Sequence, residues 1–478
     1  MRGGKNIDQY KRTILFMASF IGVLLYSLCF AYVWYKIYAE QMFVVTFYRR
    51  GNYFIIGIYY LILFFFSNMY GGLKIGQLKR TEVVLSQMLS LFLTNVIAYM
   101  IISLLAFRFV NPLQLFIMML VQVAISIFWE MVTTFIYNKI FQPWKMLLIY
   151  GEHPAADLVY KVDSRRDKYA IYEAVNIDEG IEVIAEKMKN YEAVIIGDIS
   201  AIKRNDILKY CYANRIRAYV MPKLSDIILM GADRIHVFDT PFLLTKGYTL
   251  SFDERLVKRF VDILLSLLLI VIFSPVMLIS AIIIKVQDGG PVFYKQVRCT
   301  QDEKEFDIIK FRSMIVNAES DGVAKLATKG DSRITKFGAF IRATRIDELP
   351  QLFNILKGEM SFVGPRPERP EIMKEYKETM PEFPFRNRVK AGLTGFAQVY
   401  GKYNTTPYDK LKLDLFYIEN YSVWLDIKLI MMTVKIALKK EATEGIDEGS
   451  TTAEKGDLGV DVQDAVKEVV KKEENSEG

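Results

Sequence analysis

Long uncharged apolar runs dominate the first third of the chain. Four of them reach or approach the length that an α-helix needs to cross a hydrocarbon core of about 30 Å. They are Ile14–Trp34, Tyr53–Tyr70, Val83–Phe107 and Val110–Trp129. The first run is too long for a cleaved signal peptide, and three similar runs follow it. The pattern therefore predicts four transmembrane helices over residues 1–140.

Basic residues flank these runs unevenly. Lysines and arginines at 5–12, 74–80 and 139–145 fall on one side of the membrane, which the positive-inside rule assigns to the cytoplasm. Arg49 and Arg50 fall on the other side and oppose this orientation without reversing it. Three polar residues lie inside the runs, where interhelical hydrogen bonding is favoured over a transport path. They are Gln87, Asn95 and Gln122.

The pattern changes over residues 141–250. Short apolar runs (MLLIY, AVIIG and RAYVM) alternate there with helical stretches. This alternation predicts a small cytosolic Rossmann-like domain with a parallel sheet. The first strand–helix turn, YGEHPAAD, lacks the GxGxxG spacing of dinucleotide-binding loops. We expect a structural or oligomerising domain, with a regulatory nucleotide site as the alternative.

A fifth apolar run, residues 256–285, opens a further predicted domain over residues 251–440. Its length suits a spanning helix, but basic residues flank both ends, so charge gives no preferred crossing. Ser274-Pro275 interrupts the run, and proline removes a backbone donor and bends a helix. A bend would let the segment re-enter the leaflet it came from, with Ser274 satisfying a freed carbonyl. Both readings are open on these residues, and the cytosolic side of the preceding domain favours re-entry.

The candidate chemistry lies in IRATRIDELPQLFNILKGEMSFVGPRP, residues 341–367. Adjacent Asp347 and Glu348 come just before a predicted short helix, Pro350–Lys357, whose N-terminus stabilises negative charge. The segment also carries three arginines, Arg342, Arg345 and Arg366. An acidic pair before a proline is by itself most often a solvated helix cap. The combination with these arginines favours a phosphate site that uses a divalent cation.

Composition narrows the chemistry. Only two histidines occur, His153 and His236, both far from the acidic pair in sequence, so carboxylates must supply any acid, base or nucleophile. The three cysteines lack CxxC spacing, which excludes a disulfide framework and a structural zinc site and fits a reducing cytosol.

Charge is distributed unevenly along the chain. The net charge is +7, but residues 441–478 hold twelve acidic residues and four lysines, net −8, which leaves +15 elsewhere. A basic body with apolar segments indicates anionic lipids or phosphate substrates and no nucleic acid. The acidic tail, 441–478, is predicted to be disordered, although Val460–Val470 has enough apolar residues to fold briefly.

Several further segments flank the acidic pair. PVFYKQVR and FDIIKFRSM predict two strands, and the second brings Lys310 and Arg312. Leu411–Tyr421 and Val423–Leu438 are apolar on one face with lysines on the other, which is typical of helices that lie in a membrane interface.

At this point the chain resembles a known family. The motifs are KRFVDILLSLLLIVIFSPVMLISAIIIK, PVFYKQ, IIKFRSM, DSRITKFGAFIRATRIDELPQLFNILKGEMSFVGPRPE, GLTGFAQVYGK and DLFYIENYSVWLDIK. They resemble those of bacterial sugar transferases, the monotopic phosphoglycosyl transferases, over about Phe252–Leu438. The resemblance implies a membrane α+β protein: a four-helix transmembrane bundle, a Rossmann-like α/β middle domain, and a monotopic catalytic domain with a re-entrant helix bent at Ser274 and Pro275.

The resemblance also implies an activity. Such enzymes use Mg²⁺ to transfer a sugar 1-phosphate from a UDP-sugar to undecaprenyl phosphate at the cytoplasmic face of the bacterial inner membrane, releasing UMP and starting exopolysaccharide or O-antigen assembly. Asp347 matches the nucleophile and Glu348 its partner on Mg²⁺. The implied substrate contacts are Lys310, Arg312, Arg342, Arg345, Arg366, Gln398, Lys402 and Asp426.

Some features remain open at this stage. Ala391, Lys402 and Cys299-Thr300 depart from the family pattern and bear on sugar preference and loop shape. UDP-glucose or UDP-galactose is the expected donor, with N-acetylated sugars next, and a homodimer through the middle domain is plausible. The alternatives are an inert membrane scaffold of a polysaccharide assembly machine and a Mg²⁺-dependent lipid phosphatase.

Overall fold

The computed structural model describes residues 10–39, 49–151, 155–245, 247, 249–316, 331, 333–401, 405–437 and 461–477. The chain divides into two compact units, Met1–Gln142 and Pro143–Gly478. Both helix and sheet are present, and within the described residues five helices are long and apolar enough to cross a membrane. Four of these lie in the first unit and the fifth in the second.

The described part of the first unit, residues 10–39 and 49–142, contains four helices that share one core. They are α1 (Lys11–Val33, continued by a π-helical turn, Trp34–Tyr38), α2 (Arg49–Tyr70), α3 (Arg80–Leu105) and α4 (Leu113–Ile140). Aromatic residues on one face of α1 form the centre of this core, where the Phe30 and Tyr59 rings stack with centroids 4.0 Å apart. Apolar side chains also cover the outward faces, as expected of helices solvated by lipid.

Polar side chains inside the first unit bond to one another across helices. Gln122 Nε2 donates to Tyr59 Oη (2.8 Å), and Asn95 Nδ2 donates to Gln122 Oε1 (2.9 Å). These are the interhelical hydrogen bonds expected from the sequence. The fourth apolar run was predicted to end at Trp129, but α4 continues to Ile140 and thereby buries Glu130, whose side chain faces the other helices.

The second unit begins with a parallel sheet in the order β2-β1-β3-β4. Its strands and helices are β1 (Trp144–Tyr150), α5 (Ala156–Asp163), β2 (Tyr169–Asn176), α6 (Ile181–Met188), β3 (Ala193–Ile196), α7 (Ala201–Ala213), β4 (Arg217–Val220) and α8 (Leu224–Met230). Every pair of neighbouring strands is parallel. The central residues of β1 and all residues of β3 are buried, whichever face of the sheet they point to. This explains why both strands contain unbroken apolar runs in the sequence. A hairpin follows, β5 (Asp233–Val237) and β6 (Thr240–Leu244).

The rest of the second unit surrounds the candidate chemistry. Its elements are α9 (Phe252–Asp288), β7 (Phe293–Cys299), β8 (Glu305–Phe311), α10 (Lys336–Ala343), α11 (Gln351–Lys357), β9 (Ser361–Val363), α12 (Pro370–Thr379), β10 (Gly392–Thr394), α13 (Phe396–Tyr400), α14 (Pro407–Glu419) and α15 (Val423–Ala437). Strands β7 and β8 form an antiparallel hairpin, and β9 pairs in parallel with β10.

Helix α9 continues through Pro275. The missing proline N–H leaves the carbonyl of Val271 without its helical donor. Ser274 Oγ donates to this carbonyl at 2.8 Å, as the sequence suggested for a freed carbonyl next to the proline. The hydroxyl thus replaces the lost backbone bond.

Helix α14 lies inside the protein rather than at its surface. The sequence predicted an interfacial helix over Leu411–Tyr421, but Leu411, Leu415 and Ile418 pack into the core of the second unit. Ile227 of α8 joins the same core, so the middle segment covers the face that was expected to meet lipid. Helix α15 differs, because Trp424, Ile427 and Val434 remain exposed along one of its sides.

Part of the tail is helical, although disorder was expected over most of 441–478 and brief folding only at Val460–Val470. Residues Val462–Glu477 form helix α16. Val462, Ala465, Val466 and Val469 recur at helical spacing and pack with Ile171 of β2 and Val159 of α5. The helix completes a face of the sheet that short α5 alone does not cover.

Candidate active site

A tight reversal of the chain places the acidic pair. Arg345 adopts a left-handed conformation (φ 58°), which is uncommon for a residue other than glycine and typical of functional sites. A 3₁₀ turn, Ile346–Glu348, follows, and α11 begins next, with Pro350 at its N-cap. Gly358, at φ 89°, ends this helix. Both carboxylates therefore lie at the N-terminal end of α11, as predicted.

Glu348 is surrounded by cations. Its Oε1 lies 3.2 Å from Arg366 Nη2, 3.6 Å from Lys310 Nζ and 3.6 Å from Arg345 Nη1. The carboxylate is 13% exposed, whereas the guanidinium groups are more open. Three of the predicted phosphate-binding cations thus meet at one carboxylate oxygen.

Asp347 has a different environment. Its Oδ1 is buried and accepts no hydrogen bond from any described residue. Lys310, Arg345 and Arg342 lie near enough to stabilise its charge, in that order. A buried carboxylate oxygen without a donor is costly, so this atom is available to a ligand.

The two carboxyl groups therefore differ in acidity. Burial, and then repulsion by Glu348, raise the pKa of Asp347 to about 6. Burial alone would also raise the pKa of Glu348, but Arg366, Lys310 and Arg345 outweigh it and lower this pKa to about 2. Glu348 also raises the pKa of the Arg366 guanidinium, and burial lowers that of the Lys310 ammonium.

Two residues predicted to contact substrate have ion-pair partners outside the acidic pair. The Arg312 guanidinium is buried and pairs with Asp288 at the end of α9. Asp426 pairs with Lys258 at 2.6 Å and accepts a hydrogen bond from Tyr417 Oη at 2.7 Å. Neither has a hydrogen bond or ion pair with the acidic pair among the described residues. Both instead fix helix α9 to the rest of the unit.

The other two predicted contacts are less informative. Gln398, on α13, donates from Nε2 to the carbonyl of Leu393 at 3.3 Å, and its buried Oε1 accepts no bond within the described ranges. Lys402 lies outside the described residues.

Sequence reasoning missed a second buried charge cluster next to the site. It consists of Arg386, Lys410, Glu368 and Asp414, and we call it the Arg386 cluster. Lys410 and Asp414 are four residues apart on α14 and so lie on one face of it. The signal was present in the sequence, because Glu368 directly follows the GPRP turn and Asp414 begins the DLFYIEN motif.

The residues present fit a magnesium ion. No group of three or more metal-ligating side chains occurs among the described residues. Mg²⁺ commonly binds one or two carboxylates and completes its octahedron with water and substrate phosphates. The orphaned Oδ1 of Asp347 beside Glu348 offers that partial ligand set.

Comparison with known proteins identifies a family. The sequence model described as bacterial sugar transferase matches residues 253–440. An N-acetylgalactosaminephosphotransferase acting on undecaprenyl phosphate, from Aeromonas hydrophila, is 42% identical over 185 residues, 38% of this chain and 44% of that protein. A UDP-glucose:undecaprenyl-phosphate glucose-1-phosphate transferase from Klebsiella pneumoniae is 40% identical over 209 residues, 43% of each chain.

The matched part spans less than half of those two relatives. A shorter protein from Caulobacter vibrioides, also named a UDP-glucose:undecaprenyl-phosphate glucose-1-phosphate transferase, is covered over 68% of its length. It is 38% identical over 182 residues, 37% of this chain. Each of the three alignments is about as long as the family match over residues 253–440 and is shorter than half of the chain. The similarities agree with the candidate membrane helices and the mixed helix and sheet of the structure. The chain belongs to the bacterial sugar transferase family.

Proposed function

We propose that this protein transfers a sugar 1-phosphate from a UDP-sugar to undecaprenyl phosphate and releases UMP. The observation that carries the proposal is the asymmetry of the acidic pair. Glu348 is saturated by cations, whereas Asp347 presents a buried oxygen without a donor. The matched relatives are named for this class of reaction.

Asp347 would act as the nucleophile. Its carboxylate oxygen attacks the sugar-bearing phosphorus, an O–P bond forms, the phosphoanhydride bond breaks, and UMP leaves with the electron pair. An oxygen of the lipid phosphate then attacks the aspartyl-phosphosugar, which transfers the sugar phosphate and regenerates the carboxylate. Neither step requires a histidine, which suits the paucity of histidine in the chain.

The surrounding cations would hold the phosphates. Arg366, Lys310 and Arg345 are near the pair already, and Arg342 is near enough to lower the pKa of Asp347. These fixed positive groups stabilise charge that develops on the transferred phosphoryl oxygens. Asp347 and Glu348 would hold Mg²⁺, which supplies further neutralisation of phosphate charge when bound.

The contacts of α9 support a re-entrant path. In its first half, Asp262 accepts hydrogen bonds from Phe362 N–H (2.9 Å) and Ser361 Oγ (3.0 Å). At its end, Asp288 pairs with Arg312, one residue past β8. A straight helix of 37 residues would be about 55 Å long and would place its ends on opposite sides of a bilayer. Contacts from both halves to one compact unit favour entry and exit through the same leaflet, with the bend at Ser274 and Pro275.

This path would bring the acidic pair to the membrane surface. Arg259, in the first half of α9, donates to the carbonyl of Ile355 at 2.6 Å and so ties the end of α11 to the membrane helix. The four N-terminal helices would form a transmembrane bundle, and the catalytic segment would lie on the cytoplasmic face of the inner membrane. The lipid phosphate could then approach from the bilayer while the nucleotide sugar comes from the cytosol.

The donor is proposed to be UDP-glucose or UDP-galactose. Relatives named for glucose, galactose and N-acetylgalactosamine all occur among the matches, so identity alone does not select the sugar. The departures at Ala391, Lys402 and Cys299 lie beside the matched motifs and are the positions at which selectivity would be sought.

The test is UMP release by the full-length protein in detergent with undecaprenyl phosphate and a panel of UDP-sugars. We expect turnover with one donor, dependence on added Mg²⁺, and no inorganic phosphate. Incubation with that donor alone should leave a sugar phosphate on the peptide that contains Asp347, seen by mass spectrometry. Phosphate release would instead indicate a lipid phosphatase, and turnover without any such adduct would contradict the covalent route.

A further inference from the structure

The turn that presents Arg366 is bonded at four successive backbone carbonyls. The donors, in chain order, are Gly392 N–H to Pro365 (2.9 Å), Arg386 Nη2 to Arg366 (3.1 Å), Arg298 Nη1 to Pro367 (3.1 Å) and Cys299 N–H to Glu368 (2.9 Å). Two prolines in the turn also restrict its backbone. The Arg366 side chain therefore starts from a fixed point.

Arg386 is the donor to the backbone carbonyl of Arg366 itself. Its side chain is 1% exposed. While Nη2 donates to the Arg366 carbonyl, Nη1 donates to Glu368 Oε1 at 3.2 Å. Asp414 Oδ2 lies 2.7 Å from Nη2 and anchors the guanidinium from α14. One planar fork thus joins both ends of the Arg366–Glu368 turn to a helix of the core.

The Arg386 cluster is largely buried. It balances two cations against two carboxylates, since Lys410 also pairs with Glu368. Arg386 and Asp414 are each 1% exposed. None of the four has an ion pair with Asp347 or Glu348 in the described part of the chain. The contact that links this cluster to the site is the hydrogen bond from Arg386 Nη2 to the Arg366 carbonyl.

We propose that Arg386 is a positioning residue that holds the Arg366 guanidinium against Glu348, where the two groups lie 3.2 Å apart. The inference rests on the proposed function. It adds to that function an explanation of how the Arg366 guanidinium is held in place before substrate binds. Displacement of an active-site group by about 1 Å can cost about 100-fold in rate. A cluster that serves the fold alone would change the amount of folded protein and leave its turnover per molecule intact.

The test is a double-mutant cycle between Arg386→Lys and Arg366→Met, measured as kcat and KM for UMP release. Lysine keeps the charge at 386 but cannot bond to the Arg366 carbonyl and Glu368 as a planar fork. We expect R386K to lower kcat about 100-fold with a small change in KM. In the R366M background the same change should add no further loss, because the group that it positions is gone.

Arg388→Lys is the matched control. Arg388 lies on the same 3₁₀ turn as Arg386, Phe383–Arg388, and its side chain is exposed. The same Arg→Lys change can therefore be made there without altering the cluster. We expect its kcat to stay within about twofold of wild type, as for an ordinary surface substitution. Rates are to be normalised to the folded fraction, measured by size-exclusion chromatography and thermal unfolding.

Wild-type turnover by R386K, or a loss that multiplies in full with that of R366M, would overturn the inference. If R386K does not fold, Asp414→Asn enters the same cycle, and the same two outcomes decide. A wild-type protein that releases no UMP overturns the proposed function and this inference together. An active wild type with an unaffected R386K overturns the inference alone.

Discussion

Two charged clusters lie side by side in the catalytic segment and differ in balance. Around Asp347 and Glu348, four cations (Lys310, Arg342, Arg345 and Arg366) surround two carboxylates, and one carboxylate oxygen has no donor. In the Arg386 cluster, two cations meet two carboxylates, and each group has an ion-pair partner, although Asp414 Oδ2 accepts no hydrogen bond among the described residues. Balanced buried charges are typical of structural networks, whereas an excess of cations beside an orphaned oxygen leaves room for the phosphates of a substrate.

The largest expected difference concerns turnover. Asp347→Asn keeps the shape of the side chain and removes the proposed nucleophile, so UMP release should fall by about 10⁴-fold or more. Asp307→Asn, the same change at an exposed position on β8, should leave turnover within about twofold. The measurement is kcat for UMP release with saturating donor. Near-normal turnover by D347N would remove the covalent route.

The same type of change in the Arg386 cluster should act on stability. Glu368→Gln leaves Arg386 and Lys410 with one carboxylate between them, and breaking a buried pair costs about 3–5 kcal/mol of unfolding free energy. Lys410 and Arg386 overcome burial and hold the pKa of Glu368 below its ordinary value. The stabilisation is therefore present above the unfolded pKa of about 4.3 and is lost as the pH falls towards the folded value.

Denaturant unfolding of wild type and E368Q from about pH 3 to pH 8 checks this prediction. The two curves should separate above about pH 5 and converge in acid. An equal difference at every pH would show that the amide disturbs packing rather than charge pairing.

Asp347→Asn should have the opposite effect on stability. The folded pKa of Asp347 is raised from 3.8 to about 6, so its ionisation opposes folding, and this cost grows as the pH rises between those values. Above about pH 6 the variant should be more stable than wild type by about 1–3 kcal/mol, in buffer without divalent metal. Near pH 3 the difference should vanish. A less stable D347N at pH 7.5 would break the contrast between the two clusters.

A smaller change tests whether the middle segment supports the Arg386 cluster. Gly231 follows α8, and a Cβ there would lie 2.5 Å from the carbonyl oxygen of Glu419 at the end of α14. Gly231→Ala should displace α14, which carries Lys410 and Asp414, and cost about 1–3 kcal/mol of unfolding free energy. Gly247→Ala, at a glycine of the same unit without positive φ and with open space at its Cβ position, is a control without this clash. Equal stability of G231A and wild type would show that α8 and α14 can separate.

Local patterns predicted much of this molecule because the signal lay within a few residues. Pro350 and Gly358 predicted the two ends of the short helix after the acidic pair. The apolar runs that alternate with helical stretches predicted the parallel strands. Three cations around Glu348 were also expected from spacing and resemblance. These features depend on backbone preferences and on neighbours in the chain.

The contacts that the sequence did not reveal have a different origin. Arg312 follows Lys310 by two residues, yet it pairs with Asp288, and no local pattern tells which acid a basic residue will meet. Helix α14 looked interfacial because one of its faces is apolar. That face packs into a core that includes Ile227, a residue nearly 190 positions earlier in the chain. Asp426 likewise meets Lys258 across the fold. Partners distant in sequence decided each case.

Helix α16 has a consequence for how the protein is made. The apolar face of the middle sheet is closed by residues that leave the ribosome after every residue of the acidic pair and its cations. A message cut short before Val462 would yield a chain with all its proposed catalytic groups and an uncovered patch around Ile171 and Val159. Chaperones and proteases recognise such exposed apolar patches, so synthesis of α16 would remove a signal for both.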